Sequence, residues 1–136
     1  MTGMPGAGLN EPYARRLLIV DDDQEVSRVI ASMIEQLGHQ VAVCGSAQDA
    51  LARTPLGKYD MMLIDYRMPE LTGLDLISML REENCLIPVI LMTGFTATEE
   101  RVSLEKLGIV GILRKPILMA PLSRAIDECL GLSRPS

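Results

Sequence analysis

Apolar positions along the chain follow two alternating rhythms. Apolar runs of strand length occur at residues 17–21 (LLIVD) and 61–65 (MMLID), each ending in acid, and at 89–93 (VILMT). Two further short runs, 40–44 (QVAVC) and 111–114 (GILR), complete five predicted strands. Between them the spacing changes to that of helix faces. Residues 24–37 place Val26, Val29, Ile30, Met33, Ile34 and Leu37 on one face, and Gly38 is set to end that helix. Ser46 is suited to N-cap a short helix reaching about Arg53, with Pro55 closing it. Residues 74–83 form the next helix, with Leu74, Ile77 and Leu80 inward. Residues 96–107 read as a polar, Glu-rich helix stopped by Gly108. The last helix, 121–130, turns Leu122, Ala125, Ile126, Cys129 and Leu130 to one side, with Pro121 near its first turn.

Strands 1, 3 and 4 show no in–out alternation, which predicts burial of both faces. A parallel sheet covered by helices on both sides meets that requirement. With right-handed crossovers the expected fold is α/β, a doubly wound five-stranded parallel sheet with five helices. The expected domain spans residues 15–131. Residues 1–14, rich in Gly and Pro, read as a lead-in or linker, and 132–136 as a tail.

Composition narrows the function. The 136 residues carry 13 Lys and Arg against 18 Asp and Glu, a net charge of −5, and the pI is near 4.8. Phosphate neutralisation needs a basic face, so no nucleic acid is expected as a direct partner. Cys44, Cys85 and Cys129 lie far apart without a CxxC pair, and the one His offers little to zinc. The thiols read as small buried hydrophobes in a reducing compartment. No apolar run reaches the ~18 residues of a membrane span, and the N-terminus has no signal-peptide pattern. The chain is expected to be soluble and cytoplasmic, without membrane contact by this domain. His39 follows the Gly38 helix stop and is expected in a surface loop, where it could not serve as a helix-borne phosphodonor. The nine methionines read as core filler.

In an open parallel sheet, ligands bind at the carboxyl ends of the strands. Strand 1 ends in Asp21, Asp22 and Asp23, strand 3 in Asp65, strand 4 in Thr93 and Gly94, and strand 5 leads into Lys115 and Pro116. One rim thus gathers carboxylates, a hydroxyl and an ammonium. Two like charges 4 Å apart repel by roughly 4 kcal/mol at an effective dielectric of 20, so such a cluster needs a proton, a lysine or a cation. An oxygen-only set with open positions suits Mg²⁺. Helix capping explains part of the Asp21–Asp23 run, but not the Asp, Thr and Lys at three other strand ends.

The stretches LLIVDDD, MMLIDYRMPELTGLDLI, VILMTG and LRKPI together resemble the receiver domain of two-component response regulators. The resemblance covers about residues 15–130. VILMTGF and GILRKP further resemble receivers fused to the C-terminus of hybrid sensor histidine kinases. The resemblance implies a flavodoxin-like strand order 2-1-3-4-5 and a phosphorelay function. In that reading Asp65 is the phosphoacceptor. Asp21 and Asp22 hold Mg²⁺, one directly and one through water, with Asp65 and the backbone carbonyl of Arg67 as further metal ligands. Thr93 bonds the phosphoryl group, Lys115 pairs with a phosphoryl oxygen, and the Lys115–Pro116 bond is a cis candidate. Asp23 is left as a helix cap. The implied partner is a sensor histidine kinase or a histidine phosphotransfer domain, and the reading admits a weak homodimer.

The chain also departs from the receiver pattern. Receivers usually carry Tyr or Phe three residues before the lysine, where this sequence has Ile112. A signal routed through a rotating ring at that position is not expected. Arg67 and Phe95 occupy positions that flank the path of the hydrolytic water in receivers, which leads us to expect a lengthened phosphoryl lifetime. Two other classes fit less well. An aspartate-nucleophile phosphatase would want Thr or Val where Glu25 stands, and a cap domain. A non-phosphorylated interaction module would be favoured by loss of Asp65, Lys115 or the acidic pair, and all are present. No Gly-rich loop follows strand 1 to hold a flavin or dinucleotide.

Overall fold

A computed structural model describes residues 14–53, 56–94 and 106–132 of the chain. Five strands, β1 (Arg16–Val20), β2 (Gln40–Cys44), β3 (Met61–Asp65), β4 (Val89–Thr93) and β5 (Ile109–Arg114), pair in parallel in the order β2-β1-β3-β4-β5. Four helices are described: α1 (Gln24–Gln36), α2 (Ala47–Ala52), α3 (Gly73–Glu82) and α4 (Met119–Leu130). The helix expected over 96–107, like Phe95, lies largely outside the described residues.

The central strands are buried on both faces, as their unbroken apolar runs require. Alternate residues feed two cores. Leu18, Val20, Met62, Ile64, Val89 and Leu91 face α2 and α3, packing on Ala47, Ala50, Leu76, Ile77 and Leu80. Leu17, Ile19, Met61, Leu63, Ile90 and Met92 face α1 and α4, packing on Ile30, Ile34, Leu122 and Ile126. Each fully buried Leu or Ile stabilises this arrangement by roughly 1.5–3 kcal/mol.

Helix boundaries follow local chemistry. Asp23 is the N-cap of α1, its Oδ1 accepting the amides of Glu25 and Val26 at 3.1 Å each. Replacing Asp23 by Ala is expected to cost about 1 kcal/mol, read as a lower midpoint in urea unfolding. Gly38, at φ +93°, takes the chain out of α1. Ser46 caps α2 through the Asp49 amide, and Thr72 and Asp75 form a reciprocal capping box on α3. Helix α4 begins two residues before Pro121. Proline there lacks only an amide that the first turn leaves without a helical partner anyway.

Four expectations are corrected. Val29 is 56% exposed, because α1 buries the stripe Ser27, Ile30 and Ile34. The buried polar Ser27 rotates the inward face away from Val29. Helix α3 buries Leu76 as well as Ile77 and Leu80, while Leu74 is only half-buried. His39 is not a surface residue: it is 4% exposed, and its Nδ1 accepts the Arg15 amide at 2.9 Å. The imidazole satisfies a backbone donor where the chain enters β1, which is a reason to bury it. All three cysteines are free thiols. Cys44 is buried, whereas Cys85 and Cys129 are only partly so. Burial pushes the Cys44 and Cys129 thiols up to about 11. Among the described residues, no helix is long and apolar enough to cross a membrane.

Candidate functional site

The sheet register builds the site. Val20 of β1 is paired with Ile64 of β3, so the next residues, Asp21 and Asp65, emerge side by side. Strands in a sheet lie about 4.8 Å apart. Asp65 is paired with Met92 of β4, and Thr93 with Arg114 of β5. Thr93 therefore follows next on the rim, and Lys115 after it. Backbone bonds lock this edge: the Tyr66 amide donates to Met92 O at 2.8 Å, and the Lys115 amide to Thr93 O at 2.9 Å. On the other side the Asp21 amide donates to Cys44 O at 3.1 Å.

The side chains converge. Lys115 Nζ lies 3.1 Å from Asp21 Oδ2 and 3.2 Å from Asp65 Oδ1. The peptide bond that follows it, Lys115–Pro116, is cis. Asp21 is fully buried and its other oxygen accepts the Asp23 amide at 2.9 Å. Asp65 and Thr93 are buried too, at 6% and 1% exposure. Asp22 is exposed. Asp21, Asp22 and Asp65 each offer an oxygen within 4.8 Å of the others. Arg67 is exposed in the loop that leaves β3.

Among the described residues that converge at the rim, carboxylates outnumber ammonium groups. Burial, then the neighbouring Asp21 carboxylate, push the Asp65 carboxyl up to about 6, against the downward pull of Lys115. Burial pulls the Lys115 ammonium down, but its hydrogen bonds and charge contacts with Asp21 and Asp65 outweigh that and hold it above the ordinary value. Three carboxylates around one ammonium leave room for a hard cation. The donor set, oxygen only and partly open to solvent through Asp22, fits Mg²⁺.

A cavity of about 630 Å³, lined by Leu56, Tyr59, Cys85, Leu86 and Pro88 among others, lies at the opposite, amino-terminal ends of the strands, away from the convergent polar groups. Two features of the rim escaped sequence reasoning. Ser27 is buried beneath Asp21, with its Oγ 3.5 Å from the Asp21 carbonyl. Its spacing from Ile30 and Ile34 was the available signal, hidden by its polarity. Gly73 packs against the Asp65 backbone so closely that a Cβ would sit 2.5 Å from the Asp65 carbonyl oxygen. The glycine was visible within MPELTG, but the contact was not.

Comparison with known proteins agrees with this geometry. The family described as response regulator receiver domain matches residues 17–127. The transcriptional regulatory protein ZraR of Salmonella typhimurium is 30% identical over 118 residues, covering 87% of this chain and 27% of that protein. The tetrathionate response regulatory protein TtrR of the same organism is 32% identical, covering 85% of this chain and 56% of that protein. The chain therefore spans between about a quarter and somewhat over half of these relatives. The receiver domain of the Francisella response regulator 1452 superposes with a TM-score of 0.78 at 28% identity, covering 86% of this chain and 97% of that one.

Proposed function

The chain belongs to the response regulator receiver domain family of two-component systems, and on that premise we propose that Asp65 is its phosphoacceptor. The observation that carries this reading is the 3.2 Å contact of Lys115 with Asp65, on a rim shared with Asp21, Asp22 and Thr93. A phosphohistidine on a sensor histidine kinase or a histidine phosphotransfer domain presents its phosphorus in line with an Asp65 oxygen. The P–O bond to Asp65 forms as the P–N bond to the imidazole breaks, and the imidazole nitrogen leaves with its electron pair. Lys115 turns from its carboxylate partners to a phosphoryl oxygen, and the Thr93 hydroxyl donates to another. Phosphoryl transfer depends mainly on such positioning and charge compensation. Asp21, Asp22, Asp65 and the Arg67 carbonyl would hold Mg²⁺, which supplies the positive charge that three carboxylates otherwise lack. We read the domain as promoting its own modification without sustained turnover of phosphate esters.

The acyl phosphate carries about two negative charges and draws Thr93 toward it, shifting the segment after β4. With half-exposed Ile112 in place of an aromatic ring, that shift is our proposed output. We also propose domain limits of 15–131, a cytoplasmic location and a lengthened phosphoryl lifetime. The named relatives are regulatory proteins, so they lend nothing to the hybrid-kinase resemblance. If this domain belongs to a longer transcriptional regulator, nucleic-acid contact would fall to other parts of it, since this chain is net −5.

Incubation with Mg²⁺ and a small acyl-phosphate donor tests the reading by mass. The parent is expected to gain one phosphoryl group. Asp65→Asn, or the parent with a chelator, is expected to gain none. Equal uptake by Asp65→Asn would overturn the assignment.

A further inference from the structure

The loop from β3 to α3 contains a strained turn held from outside. Glu70 has a φ of +72°, and the Leu71 amide donates to Pro69 O at 2.8 Å across it. A three-residue turn with a positive central φ is a rare and costly geometry, most so for a residue with a side chain. Such conformations persist where the surroundings over-determine them. Here the surroundings include Gln48 on α2, whose Nε2 donates to Glu70 Oε1 at 2.6 Å.

Helix α2 is a firm support. Its Ala47 and Ala50 are buried in the core, and Ser46 caps it. It follows closely on Cys44, whose carbonyl accepts the Asp21 amide. The Gln48–Glu70 bond thus joins the side of the rim that carries Asp21 to the loop that leaves Asp65. At its far end the loop is closed by the Gly73 amide on Tyr66 O at 2.8 Å and by the capping box of Thr72. Arg67 lies between these fixed points.

We propose that Gln48 is a positioning residue: by holding Glu70 in its strained turn, it sets the acceptor loop and with it the Arg67 carbonyl. The link to metal binding rests on the function proposed above, whereas the link to loop geometry does not. Removing the brace leaves the loop free to relax, so the Leu71 amide loses protection and the oxygen set loses preorganisation.

Four proteins test this: Gln48→Ala, Glu70→Ala, their double variant, and Glu70→Gln, which keeps an acceptor oxygen without the charge. Alanine at exposed position 48 favours helix, so folding is not at stake. Amide exchange of Leu71 by NMR in chelator-treated protein needs no metal. We expect it to quicken about three- to tenfold in each alanine variant, the size of one lost hydrogen bond. The double variant should exchange no faster than the singles, because one interaction is removed only once. Glu70→Gln should stay near the parent. Mg²⁺ affinity by calorimetry should fall in the same variants by a similar factor. Unchanged Leu71 exchange in Gln48→Ala, or additive effects in the double variant, would overturn the brace. Quickened exchange with unchanged Mg²⁺ affinity would overturn its role at the rim. A parent without Mg²⁺ binding would instead overturn the function proposed for the site, leaving the exchange result to judge the brace.

Discussion

Gly73→Ala is expected to disable the rim while leaving every reacting group in the chain. The added Cβ would meet the Asp65 carbonyl oxygen at 2.5 Å, the Asp65 carbonyl carbon at 3.2 Å and Ile64 Cγ2 at 3.1 Å. Two of these atoms are backbone of the buried strand β3, which is flanked by β1 and β4 and cannot yield. The first turn of α3 must therefore retreat, and the Gly73 amide must release or stretch its 2.8 Å bond to Tyr66 O. Overpacking of this kind costs about 1–3 kcal/mol, sometimes more. The retreat also pulls on the peptide next to Asp65, and a displacement of about 1 Å can slow a positioned reaction on the order of a hundredfold. Urea unfolding should show a lower midpoint, and phosphoryl uptake from a small donor should slow far more than Mg²⁺ binding or residual stability explains. Parent-like values for both would show that α3 and β3 are less tightly apposed than the structure has them.

Asp65→Asn should make the metal-free protein more stable, with an effect that depends on pH. In the unfolded chain Asp65 releases its proton near the ordinary carboxyl value of 3.8, but in the fold it holds that proton up to about 6. The folded state therefore binds the proton more tightly, and stability from this group is full below 3.8 and lost as pH rises through 6. Above that, an ionised Asp65 is held in a buried site next to Asp21, and a neutral amide removes that penalty. A shift of this size corresponds to on the order of 1–3 kcal/mol. Thermal unfolding in chelator should show the variant ahead of the parent by several degrees at pH 7.5, with the lead closing toward pH 4. Added Mg²⁺ should then raise the parent more than the variant, because a ligand stabilises the state that binds it. A variant less stable than the parent at pH 7.5 would mean that Asp65 is compensated by Lys115 alone.

Much of this was legible from the chain. The runs at 61–65 and 89–93 are apolar up to their last residues, Asp65 and Thr93, because both faces of β3 and β4 are covered, and all ten residues are buried. The rim was legible because a parallel sheet sends all its carboxyl ends one way, so the last residues of separate strands must meet. Asp23 as the cap of α1 followed from its place before the helix. The failures have physical causes. Apolar residues alone misplace the α1 stripe, because the polar Ser27 is part of the inward face. The neighbouring Gly38 suggests a loop for His39, yet His39 is buried and bonded to Arg15, a residue 24 positions away. The Gln48–Glu70 contact and the approach of Gly73 to Asp65 are likewise tertiary. No period or propensity carries them.

Locating the transferred phosphate tests the central claim most directly. An acyl phosphate, unlike a phosphoester, is reduced by borohydride to the corresponding alcohol, which marks the carbon that held it. After incubation with Mg²⁺ and a small phosphodonor, reduction and peptide mapping should place that mark at position 65 and at no other acid of the rim. A mark on Asp21 or Asp22, or phosphate that survives borohydride on a hydroxyl residue, would contradict the account.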